Sequence, residues 1–257
     1  MKFQLLPSTF DETGRASTRQ HFACFVIDDS VAIDAGSLAV AANSVQRKQI
    51  RDIVLTHAHL DHIAGLPLFI DDLFASLKEP VRIYATKDVI EVLQKNIFNW
   101  DVYPNFSELE NENGKVLEYK KIKHETEFQV KHLSIKPLNV NHKVPSVGFV
   151  ISDGKTKIAI SGDTAEPEDF WKGVNEENDL DYLLVECAFP DELGEIAASS
   201  HHFTPQLLKR EIGKIKHDCP IYIINIKPMY CESVVRQIND LQIKNLHILE
   251  VGKVYNW

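Results

Sequence analysis

The sequence predicts an α/β sandwich, in which two β-sheets pack face to face with helices on the outside. Short apolar runs typical of strands alternate with segments of helical periodicity in both halves of the 257-residue chain. Each half therefore supplies a sheet with helices, and two such halves favour packed layers. Because no linker or low-complexity tract separates the halves, we predict a single domain over residues 1–257.

In the first half of the chain, three predicted strands come before the first predicted helix. The hydrophobic patterns predict strands His21–Asp28, Val31–Asp34 and Ile53–Thr56, a helix Ile63–Ser76, a strand Val81–Ala85 and a helix Lys87–Ile97. The segment that follows, Asn96–Glu112, is expected to be an irregular insert because it carries aromatic residues without a regular period.

The second half repeats this alternation. It predicts strands in Phe128–Val140, Ser146–Ile151, Lys157–Ser161 and Asp181–Glu186, a helix Pro205–Ile215, a strand Ile221–Ile226, a helix Glu232–Leu241 and a closing strand Leu246–Val251. Asp153-Gly154 lies between two of these strands and is typical of a two-residue hairpin turn.

Composition and charge favour a globular enzyme over a nucleic-acid-binding protein. Hydrophobic residues make up 44% of the chain, charged residues make up 25%, and the net charge is −9 with neutral histidines. Duplex nucleic acid is held mainly by clustered basic side chains, and no block of Lys or Arg is present. Nucleic acid is therefore not an expected partner, whereas a small anionic substrate is compatible because bound metal ions reverse the local charge.

The chain carries no sign of export or of membrane insertion. Its first residues lack the apolar core of a signal peptide, and no stretch approaches the length of a membrane span. The four cysteines are scattered, and most of them lie in or beside apolar runs, which indicates reduced and buried thiols. We therefore predict a cytoplasmic protein with no membrane partner.

The segment Thr56-His57-Ala58-His59-Leu60-Asp61-His62 is the strongest indication of chemistry. It follows the apolar run Ile53-Val54-Leu55 and brings three imidazoles and one carboxylate into six residues. A turn that leaves a buried strand can direct several side chains to one point. Imidazole nitrogen and carboxylate oxygen are ligands that a borderline divalent ion such as Zn²⁺ prefers, so we predict a metal site rather than a merely polar loop.

Further ligands must come from other strand ends, because one loop does not fill a coordination shell. His142, Asp163 and the pair His201-His202 each follow a predicted strand or precede a predicted helix. Taken alone, His142 fits an ordinary surface histidine, and Asp163 fits a turn residue or a helix cap. Beside the loop at 57–62, all of them become candidates for a metal site.

These residues resemble the metallo-β-lactamase superfamily. The resemblance rests on His57-Ala58-His59-Leu60-Asp61-His62, on His142 and on Gly162-Asp163-Thr164. The longer string through Ile63-Ala64-Gly65-Leu66 is similar to class II cyclic-nucleotide phosphodiesterases. Segments that echo the same branch are Asn99-Trp100, Tyr103-Pro104-Asn105-Phe106, Glu186-Cys187-Ala188-Phe189-Pro190, His202-Phe203-Thr204-Pro205 and Ile226-Lys227-Pro228.

The resemblance implies a four-layer αβ/βα sandwich of two mixed sheets with a metal centre at one edge. By the same resemblance, His57, His59 and His142 hold one ion, Asp61 and His62 hold a second, and Asp163 bridges the two. The superfamily usually supplies a last His to the second ion, whereas this chain has Asn225 at that position. An amide oxygen is a weaker zinc ligand than imidazole, so one tightly held Zn²⁺, or Mn²⁺ or Fe²⁺ at the second site, is expected.

The activity implied is hydrolysis of 3′,5′-cyclic nucleotides (cAMP or cGMP) to 5′-monophosphates by a metal-bound hydroxide. His202 is the expected proton donor to the leaving oxygen, with His201 as its rival, and Asp61 is a ligand that also orients the attacking water. The residues expected to contact substrate are Trp100, Tyr103, Phe106, Thr204 and Lys227, although the aromatic insert fits a hydrophobic plug equally well. The resemblance also implies a homodimer.

Three other functions remain open at this stage. A tRNA 3′-end-processing endonuclease shares the metal motif and the His-x-Thr pattern, although the chain is acidic and no tRNA-binding arm is visible. Hydrolysis of a thioester or a lactam would use the same ligands, since one fold supports many substrates. A weakly active metal-binding or ligand-sensing protein would result if Asn225 impairs the second site.

Overall fold

The computed structural model describes every residue from Met1 to Trp257, and the chain divides into two compact units. Unit 1 comprises residues 1–17, 21–123 and 251–257, and unit 2 comprises residues 18–20 and 124–250. Each unit contains one seven-stranded sheet. No helix is both long enough and apolar enough to cross a membrane.

Unit 1 contains nine strands and five helices. The strands are β1 (Lys2–Leu5), β2 (Phe25–Ile27), β3 (Val31–Ile33), β4 (Asp52–Val54), β5 (Val81–Ala85), β6 (Glu110–Asn111), β7 (Gly114–Lys115), β8 (Leu117–Lys121) and β16 (Val254–Asn256). The helices are α1 (Leu38–Ala41), α2 (Ser44–Gln49), α3 (Leu60–Ile63), α4 (Gly65–Leu73) and α5 (Lys87–Asn96).

The sheet of unit 1 is mixed and has the order β16-β1-β2-β3-β4-β5-β8. The pairs from β16 to β3 are antiparallel, and the pairs from β3 to β8 are parallel. Every residue of β2, β3 and β4 is buried, and all of them except Asp52 are apolar, as expected for strands that are covered on both faces. Leu38, Phe69 and Leu93 belong to the helices whose apolar faces share a core with this sheet. The loop after β4 thus starts from a rigid, buried strand.

Unit 2 contains seven strands and four helices. The strands are β9 (Phe128–Val130), β10 (Leu133–Asn139), β11 (Val147–Ser152), β12 (Lys157–Ile160), β13 (Tyr182–Glu186), β14 (Ile221–Ile224) and β15 (Leu246–Ile248). The helices are α6 (Glu168–Asn175), α7 (Gly194–Ser200), α8 (Pro205–Ile212) and α9 (Cys231–Asp240).

The sheet of unit 2 has the order β15-β14-β13-β12-β11-β10-β9 and repeats the pattern of the first. The pairs from β9 to β12 are antiparallel, and the pairs from β12 to β15 are parallel. The carboxyl ends of β10, β12, β13 and β14 therefore lie at one edge of the sheet. His142, Asp163, Glu186 and Asn225 are found at or just beyond these ends. This is how residues far apart in sequence come together in unit 2.

Helix caps account for several of the helix starts. Asn43 begins α2 with a capping box. The Asn43 side chain accepts a hydrogen bond from the Gln46 backbone N–H, and the Gln46 side chain accepts one from the Asn43 backbone N–H. Thr86 caps α5, and Thr204 caps α8 with Pro205 at the first helical position. Thr204, predicted to contact substrate, thus has a structural role at the start of α8.

The prediction of two mixed sheets with helices is confirmed, with differences at particular elements. The strand Val81–Ala85 is found with the predicted bounds, and most others are shorter than predicted. The turn at Asp153-Gly154 joins an antiparallel pair as expected, but residues 153–156 form the connection, which is longer than a two-residue turn. The elements that were missed include the strands β1, β8 and β16 and the helices α1, α2, α6 and α7. The closing strand ends at Ile248, after which the chain returns to pair with β1 in unit 1.

Gly36 allows the chain to pass close to the loop at 57–62, which we call the histidine-rich loop. A Cβ at position 36 would lie 2.0 Å from the backbone oxygen of Asp61 and 2.9 Å from that of Ala23. The Ala23 N–H donates a hydrogen bond of 2.9 Å to the same Asp61 oxygen. Because these are backbone atoms, a side chain at position 36 would displace the histidine-rich loop.

We expect Gly36→Ala to lower the free energy of unfolding by about 3 kcal/mol, the upper end of the usual cost of overpacking. Urea unfolding followed by circular dichroism measures this change. Gly194→Ala is the matched control, because a Cβ there meets nothing within 4 Å, and its effect should stay within about 0.5 kcal/mol. Equal stabilities for the two variants would show that Gly36 is not required for close packing.

Candidate metal centre

The histidine-rich loop of unit 1 gathers its three imidazoles tightly. The ring centroid of His57 lies 4.7 Å from that of His59 and 4.1 Å from that of His62. His57 and His62 are buried, and the loop ends in α3, where His62 N–H bonds to the His59 carbonyl at 3.0 Å. Asp61 lies in the first turn of α3. The three histidines predicted to be ligands in this loop are therefore clustered.

A buried carboxylate, Asp34, orients two of these rings. It lies after β3 and accepts from the Thr56 N–H at 2.8 Å and from the Thr56 hydroxyl at 2.8 Å, and His62 Nδ1 lies 2.7 Å from it. Because the Thr56 hydroxyl gives its proton to Asp34, it accepts from His57 Nδ1 at 2.9 Å. Both imidazoles thus present Nε2 away from these contacts, as metal-binding histidines do.

In unit 2, His142, Asp163 and His202 form a cluster. One nitrogen or carboxylate oxygen of each lies within 4.8 Å of those of the other two. Asp163 and His202 are buried, and His142 is half-buried. His142 Nδ1 donates to the backbone oxygen of His201 at 3.3 Å, so its Nε2 is also the available ligand nitrogen. The donor set in each unit, imidazole nitrogen with carboxylate oxygen, fits a borderline divalent ion.

The backbone around Asp163 is held in a sharp turn. Gly162 has φ +62°, a conformation that glycine adopts without strain. On the other side of Asp163, Thr164 N–H donates to Glu186 at 2.9 Å, and the Thr164 hydroxyl accepts from Asn141 N–H at 3.0 Å. These bonds tie the segments after β10 and β12 to the end of β13 and hold the backbone next to Asp163.

Glu186 is a functional candidate that the sequence analysis did not single out. It is fully buried, accepts backbone N–H bonds from Thr164, Ala188 and Phe203, and lies 2.6 Å from His202 Nδ1. Burial alone would lower the pKa of His202, but the charge and the hydrogen bond of Glu186 outweigh it and raise the pKa above its ordinary value. Nδ1 is thus committed to Glu186, and Nε2 is the nitrogen available for proton transfer.

The neighbouring histidine has a different role. His201 has a left-handed φ of +56° at the end of α7, and its Nδ1 lies 2.9 Å from the Asn141 side-chain oxygen. Its backbone oxygen is the acceptor for His142. His201 therefore supports the cluster from its edge, whereas His202 belongs to the cluster itself.

Asn225 lies at the end of β14, next to Asp163. Its side-chain nitrogen donates a hydrogen bond of 2.7 Å to Asp163 Oδ1, and its backbone is left-handed with φ +54°. The amide thus directs its nitrogen, and not its oxygen, at the carboxylate predicted to bridge two ions. In this arrangement Asn225 orients Asp163, and its role as a metal ligand stays a prediction.

The aromatic insert divides into buried and exposed parts. Phe106, predicted to contact substrate, is 2% exposed and packs against Phe98 with ring centroids 6.0 Å apart. Phe106 belongs to the core of unit 1. It is therefore a hydrophobic plug, and the prediction that it contacts substrate is not supported by its burial. Tyr103 is half-buried and donates its hydroxyl to Asp71 at 3.0 Å, whereas Trp100 is 56% exposed.

Lys227 is half-buried at the start of the turn that follows Asn225, and its charge acts on His202.

The sequence analysis missed two residues of the site, Asp34 and Glu186. Each of them directly follows a buried apolar run. A charged side chain is costly to bury unless it is hydrogen-bonded. A carboxylate that directly follows a buried apolar run is therefore a sequence signal that could have identified both residues.

The comparisons agree with the fold. The chain resembles the crystal structure of YhfI, a metallo-β-lactamase fold protein from Bacillus subtilis, with a TM-score of 0.74 and 16% identity over 99% of each chain. It resembles unliganded yeast PDE1 with a TM-score of 0.75 and 17% identity over 96% of each chain. These similarities show that the chain has the metallo-β-lactamase fold.

Sequence relatives carry two kinds of name. The chain is 27% identical to a probable 3′,5′-cyclic-nucleotide phosphodiesterase of Yersinia pestis, over 93% of the chain and 75% of that protein. It is 30% identical to Ribonuclease Z of Pyrococcus abyssi, over 41% of the chain and 32% of that protein. Against three further cyclic-nucleotide phosphodiesterases, the chain spans only 44% to 66% of their length.

The resemblance to the metallo-β-lactamase superfamily and to its phosphodiesterase branch is thereby confirmed. One family model matches residues 10–219, which contain every predicted metal ligand except Asn225. That family is described as anti-Pycsar protein Apyc1. Because the match covers most of the chain, this protein belongs to the anti-Pycsar protein Apyc1 family.

Proposed function

We propose that the chain is a metal-dependent phosphodiesterase that hydrolyses 3′,5′-cyclic nucleotides, such as cAMP or cGMP, to 5′-monophosphates. The observation that carries this proposal is the cluster of His142, Asp163 and His202, in which a buried carboxylate holds the imidazole of His202. Relatives named cyclic-nucleotide phosphodiesterases support the substrate class. The same relatives support hydrolysis as the reaction type.

The metal set proposed is the one implied by the sequence resemblance. One ion would be held by His57, His59 and His142. A second ion would be held by Asp61 and His62, and Asp163 would be a ligand of both ions. A divalent cation held there would activate water for attack on phosphorus and offset charge on the phosphoryl oxygens. Zn²⁺ fits the nitrogen-rich first set, and Mn²⁺ or Fe²⁺ fits the more oxygen-rich second set.

The chain's own residues supply the proton that the leaving oxygen needs. Opening a 3′,5′-cyclic phosphate to the 5′-monophosphate releases the ribose 3′-oxygen, which is a poor leaving group unless it is protonated. Glu186 holds Nδ1 of His202 and favours the protonated ring, so Nε2 is proposed to donate to that oxygen. Lys227 is proposed to contact the phosphate, and Thr204 to hold the start of α8 beside His202.

Hydrolysis of a substrate panel tests the proposal. Cyclic AMP, cyclic GMP, bis(p-nitrophenyl) phosphate and a thioester are each incubated with protein loaded with Zn²⁺, Mn²⁺ or Fe²⁺. The proposal expects turnover of a cyclic nucleotide to the 5′-monophosphate with at least one metal. Turnover of none of the phosphodiesters with any metal would contradict it and would favour a binding or sensing role.

A tRNA 3′-end endonuclease is the second candidate, because Ribonuclease Z is among the relatives. The net charge of −9 disfavours it, since binding to a polyanion depends on clustered basic side chains. A tRNA precursor added to the same panel separates the two functions. Cleavage that is faster than cyclic-nucleotide hydrolysis and that falls steeply with added salt would favour the endonuclease.

Asp34 is proposed to strengthen metal binding by orienting the imidazoles of the histidine-rich loop. We expect Asp34→Asn to weaken metal affinity by about 10- to 100-fold, because such supporting hydrogen bonds fix ring orientation and basicity. Competition with a chelator of known affinity measures the change. Asp72→Asn, at an exposed carboxylate, is the matched control and should bind metal like the wild type.

Asn225→His restores the imidazole that the superfamily usually has at this position. It removes the bond from Asn225 to Asp163 and adds a nitrogen ligand at the end of β14. We expect a second equivalent of metal to bind more tightly than in the wild type, as measured by calorimetric titration with Zn²⁺. An unchanged stoichiometry and affinity would count against placing residue 225 at the second ion.

A further inference from the structure

Phe189, an aromatic residue with no role in the site described so far, lies beside His202 and packs against a second aromatic residue, Tyr230. The ring centroid of Phe189 is 5.6 Å from that of His202, in an edge-to-face arrangement, and 5.8 Å from that of Tyr230. Phe189 and Tyr230 are half-buried, and their neighbour Met229 is 84% exposed. The half-buried ring of Phe189 therefore borders the proposed proton donor and is partly open to solvent.

Backbone hydrogen bonds hold these side chains in place. Phe189 N–H donates to the Phe203 oxygen at 3.2 Å, which fixes Phe189 to the residue after His202. Lys227 N–H donates to the Ala188 oxygen at 3.2 Å. These bonds join the segments after β13, before α8 and after β14, so the position of Phe189 relative to His202 does not depend on side-chain packing alone.

Tyr230 is fixed from the other side by one short helical turn. Its N–H donates to the Lys227 oxygen at 2.9 Å, and its ring packs against the core of unit 2. Tyr230 is thus anchored and supports Phe189. A ring that is supported in this way loses little conformational entropy when a ligand stacks on it.

The surroundings match the parts of a nucleoside phosphate. Lys227 supplies a positive charge near His202, and Glu186 holds Nδ1 of His202, so Nε2 is the nitrogen left to meet a ribose oxygen. The half-buried ring of Phe189 lies beside His202. A phosphate, a ribose oxygen and a base lie in that order along a nucleotide, and a base stacks favourably on an aromatic ring.

We propose that Phe189, supported by Tyr230, stacks on the base of the nucleotide and thereby positions the ribose oxygen at His202. This rests on the proposed phosphodiesterase function and deepens it by assigning the base-binding residue. It gives the stacking role to unit 2 and not to Trp100 of the insert. Since every base has a π-face, stacking on Phe189 recognises nucleotides with only a modest preference among bases.

The contribution of the base is measured as the ratio of two dissociation constants, that of ribose 5-phosphate divided by that of AMP. Both are titrated by calorimetry into wild-type protein with Mn²⁺ in the buffer. We expect a wild-type ratio of roughly 5 to 150, the effect of one stacked base. Phe189→Leu keeps an apolar side chain but removes the ring, and its ratio should fall to about 1. Phe189→Trp should restore the ratio.

Two further variants make the result specific. Phe128→Leu is the matched control, because it is the same substitution at another half-buried phenylalanine of unit 2, and it should keep the wild-type ratio. Trp100→Ala tests the rival position in the insert. A ratio that is unchanged in Phe189→Leu, or that falls in Trp100→Ala alone, would overturn the inference.

Hydrolysis of bis(p-nitrophenyl) phosphate by the wild type separates this inference from the proposed function. A wild type that turns over this phosphodiester but binds AMP no better than ribose 5-phosphate contradicts base stacking and leaves the phosphodiesterase proposal intact. A wild type that hydrolyses no phosphodiester contradicts the proposed function, and the ratio in Phe189→Leu then decides separately whether Phe189 binds a base.

Discussion

Replacing His202 with alanine is expected to lower kcat for cyclic AMP by about 10²- to 10⁴-fold, the usual contribution of a positioned general acid. The reason is that the ribose 3′-oxygen leaves poorly without a proton. The loss should be much smaller for bis(p-nitrophenyl) phosphate, because p-nitrophenolate leaves without protonation. Steady-state kinetics with both substrates measures this difference.

The comparison of substrates also separates proton donation from metal binding. His202 lies close enough to His142 and Asp163 to be a ligand, and a ligand would be needed for both substrates. An equal loss of activity with both substrates, together with a loss of bound metal, would contradict the role of proton donor. His201→Ala is the neighbouring control. We expect it to retain most of the activity, because the His201 ring bonds to Asn141 and is not the proposed proton donor.

Replacing His57 with alanine is expected to lower kcat/KM by about 10³-fold or more, because metal stabilisation of a phosphoryl-transfer transition state contributes several kcal/mol. His57 is fully buried and lies at the centre of the ring cluster of the histidine-rich loop. The variant should also lose bound metal, as measured by mass spectrometry of the elements.

His124→Ala is the matched control for this experiment, because His124 is an exposed histidine of the same chain. It should keep wild-type metal content and activity. If His57→Ala retained wild-type activity after dialysis against a chelator, a metal bound by the histidine-rich loop would not be required for catalysis.

The fold was predictable from the sequence wherever burial leaves a simple pattern. The strand Val81–Ala85 and the helix that starts at Lys87 are marked by their hydrophobic patterns, and both were located closely. By contrast, β8 (Leu117–Lys121) is an edge strand whose side chains are mostly half-buried or exposed, so it lacks an apolar run. Its pairing with β5 is a long-range property that a local pattern does not contain.

The candidate metal site is visible in the sequence through its adjacent donor residues, whereas its supporting residues are not. The histidine-rich loop is recognisable because its donors are adjacent in sequence. Asp34 and Glu186 act through contacts with residues 28 and 16 positions away, respectively, and sequence spacing alone does not show such contacts. Phe106 illustrates the opposite case, since exposed and buried aromatic residues of an insert look alike until the packing is known.

Asn225 shows how the structure changes an expectation about chemistry. From the sequence, its amide oxygen would be a weak ligand in place of imidazole. In the structure its amide nitrogen donates to Asp163, which makes it a partner of the carboxylate. The difference arises because a side-chain amide has both a donor and an acceptor, and only its neighbours decide which one is used.

The metal content of the purified protein, measured by elemental mass spectrometry after equilibration with Zn²⁺ and Mn²⁺ and gel filtration, tests the central claim most directly. At least one equivalent of divalent metal per chain is expected in the wild type, with clear losses in both His57→Ala and Asp163→Ala. A wild type that emerges metal-free under these conditions, or variants that bind as much metal as the wild type, would contradict the assignment of these residues to a metal centre.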